Sequence, residues 1–160
     1  DLGCGEGTFS RVALEGGAGS VTGADVAQAA LDRARQAHPE LDLQRVDPDR
    51  PLPFADNSFD LVWASEVIEH VADTGMWLSE VRRVLAPRGR LAITTPDHGR
   101  LRLLVGGVER YSQPLGDHLH LYTRRSLGQL LSEFGFGQVA VRGEGGMPFA
   151  RRVLLAHGQR

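Results

Sequence analysis

Short apolar runs alternate with helical periodicities along most of the chain. Residues 8–15 read as a helix stopped by Gly16-Gly17, where a positive φ is readily accepted. Residues 20–24 read as a strand. Residues 27–37 read as a helix with Ala30, Leu31 and Ala34 on one face and Pro39 just beyond its end. Residues 41–46 alternate as a strand does, and residues 59–64 form a short buried-strand pattern. Residues 76–85 set Leu78, Val81, Val84 and Leu85 at helical spacing, with Glu80, Arg82 and Arg83 toward water, and Pro87 and Gly89 end them. Residues 91–95 give the next strand. Thr123 is placed to cap a helix through Phe134 with Leu127, Leu130 and Leu131 inward, and Gly135 and Gly137 stop it. Residues 139–142 and 152–156 close the chain as a pair of strands around a short loop.

Strands alternating with helices predict an α/β fold whose sheet is mainly parallel with helices on both faces. The short last connection permits an antiparallel final strand. Residues 97–122 have weak periodicity and read as an insertion or lid within a single domain spanning residues 1–160. Asp1, not Met, opens the chain, and Asp1-Leu2 reads as the tail of a strand. The expectation is an N-terminally truncated domain whose first strand and preceding helices lie upstream.

Composition narrows the function classes. A chain of 160 residues with 41% apolar content has enough material for one core. The net charge of −2 gives no basic field to draw nucleic acid, and all 18 basic residues are Arg. The single Cys4 rules out an internal disulfide and a multi-cysteine metal site, which suits a reducing cytoplasm. No apolar run approaches the roughly 18–20 residues of a membrane-spanning helix.

The chemistry sits at three predicted strand ends. Asp1-Leu2-Gly3-Cys4-Gly5-Glu6-Gly7 is a glycine-rich turn between strand and helix, where a ligand can approach bare backbone and meet free N–H groups. Its spacing is Gly-x-Gly-x-Gly, one residue shorter at the third glycine than the dinucleotide fingerprint, because position 8 is Thr. Asp25 closes the next strand, where a carboxylate can accept two ribose hydroxyls. Asp47 follows the third, placed to accept from an adenine amino group. Each has a plainer reading, as a tight turn or a helix-capping Asp. In this order the three point to adenosine.

On these residues the chain resembles class I S-adenosylmethionine-dependent methyltransferases, particularly the small-molecule group that includes the methyltransferase type 11-like domains. The resemblance runs through residues 1–7, Gly23-Ala24-Asp25-Val26, residues 52–60, Glu66-Val67-Ile68-Glu69-His70-Val71, residues 80–90 and Gly135-Phe136. It implies a Rossmann-like doubly wound sheet with S-adenosyl-L-methionine as cofactor and a small-molecule methyl acceptor. It further implies that Asp1 and the backbone of Gly3, Cys4, Gly5 and Gly7 hold the methionine part. Asp25 would bind ribose, Val26 would pack on adenine, Asp47 would meet the adenine amino group and Ser65 would lie near the sulfonium. Pro48 departs from the pattern, since it lacks the N–H that often donates to adenine. Two alternatives stand beside this reading: an NAD(P)-dependent oxidoreductase, and a non-catalytic cofactor-binding remnant.

Methyl transfer needs alignment and exclusion of water more than a particular side chain, so the acceptor is hidden. His70 and His118 are the candidate catalytic residues, and Glu66, Tyr111, His120 and Tyr122 the candidate substrate contacts. The plainer use of Glu69-His70 is to stabilise a helix start. His118 and His120 would share one side of an extended segment, but no third ligand is evident, so no metal is expected.

Overall fold

A computed structural model describes residues 1–98, 118–145 and 153–160. Its elements are α1 (Thr8–Glu15), β1 (Thr22–Asp25), α2 (Gln28–Ala37), β2 (Asp42–Arg45), β3 (Phe59–Ser65), a 3₁₀ turn (Ile68–His70), α3 (Thr74–Val84), β4 (Leu85–Pro96), α4 (Arg124–Glu133), β5 (Gly137–Glu144) and β6 (Val153–Gln159). β1 and β2 pair in parallel. β3 pairs in parallel with β4, β4 antiparallel with β6, and β6 antiparallel with β5. The antiparallel last strand is as the short final connection predicts.

Asp1-Leu2 joins the two sheets. Leu2 bridges Ala24 in parallel, while its N–H reaches the Trp63 carbonyl at 2.8 Å. The spatial order is therefore β2, β1, Asp1-Leu2, β3, β4, β6, β5, the mainly parallel arrangement of a Rossmann-like α/β sheet. The core gathers Leu78, Val81 and Val84 of α3, Leu127 and Leu131 of α4, and Leu91, Ile93, Leu154 and Ala156 of the central strands, all fully or nearly fully buried. Among the described residues no helix is long and apolar enough to cross a membrane.

Capping explains where the helices start. The Asp73 carboxylate accepts from the Met76 N–H ahead of α3, and Thr123 with Ser126 makes a reciprocal capping box ahead of α4. α3 ends sooner than its apolar spacing predicts. Leu85 already pairs with Phe59, and an irregularity separates that pair from the one between Leu61 and Arg90. Arg88 within it has φ 68°. Pro87 thus lies in a bulged strand entry, not at a helix end.

The surface face expected of α3 is also only partly solvent-facing. Arg83 donates to the Leu52 and Phe54 carbonyls at 2.9 and 2.8 Å, and pairs with Asp56 at 2.7 Å and Glu80 at 2.8 Å. The Glu80 carboxylate in turn accepts from the Leu52 N–H at 2.8 Å. This pair fastens the loop of residues 52–58 to the helix. The expected insertion falls largely on residues 99–117, which lie outside the described residues. At its two ends, His98 and Tyr122 exchange hydrogen bonds: the His98 N–H donates to the Tyr122 carbonyl at 2.9 Å, and the Tyr122 N–H donates to His98 Nδ1 at 3.0 Å.

Candidate cofactor and transfer site

The glycine turn is a run of positive φ values: Gly3 at 78°, Gly5 at 54° and Gly7 at 81°. Space also matters at Gly3 and Gly7. A Cβ on Gly3 would lie 2.3 Å from Val67 Cγ2, and one on Gly7 would lie 2.6 Å from Leu41 Cδ1, whereas Gly5 faces open space. Gly3 and Gly7 therefore serve close packing, and Gly5 leaves its approach clear.

A cavity of about 520 Å³ opens beside this turn, within the range typical of small-molecule sites. One end is formed by Gly3, Asp25, Val26, Asp47 and Pro48, and the other by Glu66, Val67 and His70. The expected ribose and adenine residues are thus brought together. Both Asp25 oxygens are already used locally, Oδ2 by the Gly5 N–H and Oδ1 by the Ala27 N–H, each at 2.8 Å. Each oxygen keeps a second lone pair for a ligand. Val26 leaves 49% of its surface exposed beside the cavity. Asp47 accepts the Asp49 N–H at 3.0 Å and lies 3.4 Å from Arg50 Nε, so it caps a turn and lines the cavity at once.

Other expected cofactor residues are not part of the cavity lining. The Asp1 carboxylate accepts from the Ser10 hydroxyl at 2.6 Å, and Asp1 is not part of the cavity lining. Cys4 is buried and its thiol is pushed up to about 11, by burial first and then by the Asp25 charge. The Ser65 hydroxyl pairs with that of Thr94 at 2.8 Å, because the two residues are in register on β3 and β4. Neither Cys4, Gly5, Gly7 nor Ser65 lines the cavity, although Gly5 orients Asp25.

Glu66 lines the cavity and is held there against its backbone preference, at φ 55°. Its N–H donates to the Thr94 carbonyl at 2.9 Å, and the Thr94 hydroxyl donates to its carboxylate at 3.0 Å. Lost hydration, with the nearby Glu69 charge second, raises the Glu66 carboxyl above its ordinary range, against opposing help from Thr94 and His70.

The expected substrate contacts fare unevenly. Tyr122 is a correction: it is buried within the hydrophobic core, and that burial raises its phenol above its ordinary value. His120 is tied down, its Nε2 lying 3.0 Å from the Val71 carbonyl. Tyr111 lies outside the described residues. His70 and His118 do come together, their rings edge to face with centroids 5.0 Å apart. Sequence reasoning missed Arg50, Val71, Met76, Trp77 and Glu80 as cavity lining. Met76, Trp77 and Glu80 share one side of α3, a signal hidden by their ordinary helical spacing.

Comparison with known proteins gives the class. The methyltransferase domain family matches residues 1–93, more than half of the chain. Over 161 aligned residues the chain is 34% identical to a biotin biosynthesis bifunctional protein BioHC of Cellvibrio japonicus, covering 98% of this chain and 31% of that protein. It is 35% identical to a malonyl-[acyl-carrier protein] O-methyltransferase of Pseudescherichia vulneris, over 63% of this chain and 39% of the relative. The chain thus spans between about a third and two fifths of the length of these curated relatives. An S-adenosylmethionine-dependent methyltransferase from Mesorhizobium loti superposes with a TM-score of 0.79 at 28% identity, covering all of this chain and 89% of that one. The chain belongs to the methyltransferase domain family, in the class that uses S-adenosylmethionine as cofactor. The nicotinamide alternative gives way, since the family match includes the Gly-x-Gly-x-Gly turn itself.

Proposed function

We propose that the protein transfers the methyl group of S-adenosylmethionine to a small-molecule acceptor. One observation carries this reading: a single cavity joins the Asp25–Val26–Asp47 end to the Glu66–His70 end. In this reading the Asp25 carboxylate accepts the ribose hydroxyls, Val26 packs on adenine and Asp47 accepts from the adenine amino group. Pro48 contributes shape without a donor. The Gly3 turn borders the amino-acid tail and Gly5 leaves its backbone open to approach, with Asp1, Cys4, Gly7 and Ser65 supporting the turn.

When bound, the cofactor would supply an electrophilic methyl on its sulfonium, with the neutral thioether as leaving group. The chain's own task is to align the acceptor, keep water out and receive any proton it loses. Glu66, whose carboxyl is held above its ordinary range, stands on the cavity wall beside His70 as the group to receive the proton. His118 backs His70 from outside the cavity lining. Two relatives support a small or carrier-borne acceptor by their names, the malonyl-[acyl-carrier protein] O-methyltransferase and a 2-methyl-6-phytyl-1,4-hydroquinone methyltransferase of Synechocystis.

Calorimetric titration with S-adenosylhomocysteine tests the cofactor half, and saturable one-to-one binding is expected. Methyl-labelled S-adenosylmethionine offered with a cell extract tests the acceptor half. Label confined to nucleic acid, or to amino-acid side chains of protein and not to a carrier's acyl group, would overturn the small-molecule reading. Saturable binding with no label transferred to any fraction would favour the non-catalytic alternative.

A further inference from the structure

We propose that Glu69, His70 and His118 form a binding site for one divalent transition-metal ion. One ligand atom from each of the three residues lies within 4.8 Å of the others. A tetrahedral ion with bonds near 2.0–2.2 Å spaces its ligands about 3.3–3.6 Å apart, so modest side-chain rotation closes the set.

Glu69 is the telling member. Its side chain is fully buried, and Oε2 accepts from the buried Thr95 hydroxyl at 2.9 Å. Oε1 is equally buried but makes no hydrogen bond among the described residues, and lies 4.0 Å from His70 Nε2, too far for one. A buried carboxylate oxygen without a partner calls for an explanation such as an ion. His118 Nδ1 is likewise buried with no hydrogen bond among the described residues. The backbone holds this arrangement: the Glu69 carbonyl accepts from the Leu119 N–H at 2.7 Å and the His120 N–H at 3.2 Å. The His120 ring against the Val71 carbonyl adds a second tether beside His118.

The Thr95 hydroxyl orients the carboxylate from behind, as outer partners of metal ligands commonly do. His98 does not join the set, because its Nδ1 already accepts the Tyr122 N–H. Two imidazoles and one carboxylate suit zinc, and equally iron, cobalt or nickel, and they leave at least one position open for water or another ligand. Of the His118-Leu119-His120 pair only His118 takes part, and the other two ligands, Glu69 and His70, come from the 3₁₀ turn. The assignment is independent of which acceptor is methylated.

Titration of chelator-stripped protein with Zn²⁺, and with Co²⁺ followed by its visible absorption, tests the site. One ion per chain is expected, with a Co²⁺ spectrum of low coordination number. His70→Ala removes an exposed ligand without touching the core, and should weaken binding at least tenfold. His118→Ala and Glu69→Gln should do the same, whereas His157→Ala, on a distant strand, should leave affinity unchanged. Far-ultraviolet dichroism checks that each variant is folded, and His70→Ala suffices if the buried variants are not. No stoichiometric binding to the wild-type chain, or equal binding by wild type and His70→Ala, would overturn the proposal.

Discussion

The Gly5 N–H donates to Asp25 Oδ2 at 2.8 Å, which makes the glycine turn and the end of β1 one unit. The other oxygen receives the Ala27 N–H at the start of α2. Read as an isolated strand-end carboxylate, Asp25 would matter to ligand binding and hardly to stability. The two hydrogen bonds change that expectation. Asp25→Ala should lower stability by about 1–2 kcal/mol, the usual effect of losing such a cap. It should also weaken S-adenosylhomocysteine binding tenfold or more. Urea unfolding and calorimetry on the same variant separate the two effects; unchanged affinity would remove Asp25 from the ribose role.

Gly3 and Gly5 both have positive φ but opposite surroundings, so they should respond differently to alanine. Both variants pay the strain of a left-handed residue, about 1–2 kcal/mol. Gly3→Ala adds a Cβ only 2.3 Å from Val67 Cγ2, which should bring its loss to about 3 kcal/mol or more. Val67→Ala removes that methyl. The double variant should therefore be less unstable than the two single losses added together, as a double-mutant cycle in urea would register. Strict additivity would mean that the turn shifts as a whole.

How much of this was legible in the chain follows from the range of each interaction. α1 and α2 fall within a residue of their apolar spacing, and the Asp25–Val26 and Asp47–Pro48 pairs reach one cavity because strand ends converge in a parallel sheet. Tyr122 was illegible as a core residue, since its burial depends on pairing with His98 across the segment between them. Glu69 looked like part of a helix start. Its neighbour His118 is far along the chain, and only tertiary hydrogen bonds from Leu119 and His120 bring them together. Arg83 looked solvated for the same reason, its partners being carbonyls of a loop some thirty residues earlier.

Arg83→Met tests that clamp. It keeps the apolar stem and removes four polar partners, so a loss on the order of 2 kcal/mol is expected at neutral pH. The Arg83 guanidinium lowers the Glu80 carboxyl below its ordinary value, which fixes the sign of the pH effect. Stability from the ion pair is fully present above the unfolded pKa of about 4.3 and is lost as pH falls through the lower folded value. The gap between wild type and variant should therefore narrow in acid. It should not close, because the bonds to the Leu52 and Phe54 carbonyls do not titrate.

Glu66 carries the opposite sign. Its folded pKa lies above the ordinary value, so its charged form is disfavoured in the native state, and that penalty is present in full above the folded pKa. As pH falls through that value the native chain takes up a proton before the unfolded chain does, and the penalty disappears. Glu66→Gln mimics the neutral carboxyl at every pH. In metal-free buffer the variant should therefore be slightly more stable than wild type near pH 7.5, by less than about 1 kcal/mol given the exposed site. Near pH 4 the two should converge. Thermal midpoints across that range check it, and methyl-transfer rates on the same samples separate the roles. A variant that gains stability but loses turnover would identify Glu66 as a group kept for chemistry at a structural cost. One that gains stability and keeps full turnover would leave the acceptor's proton to another group.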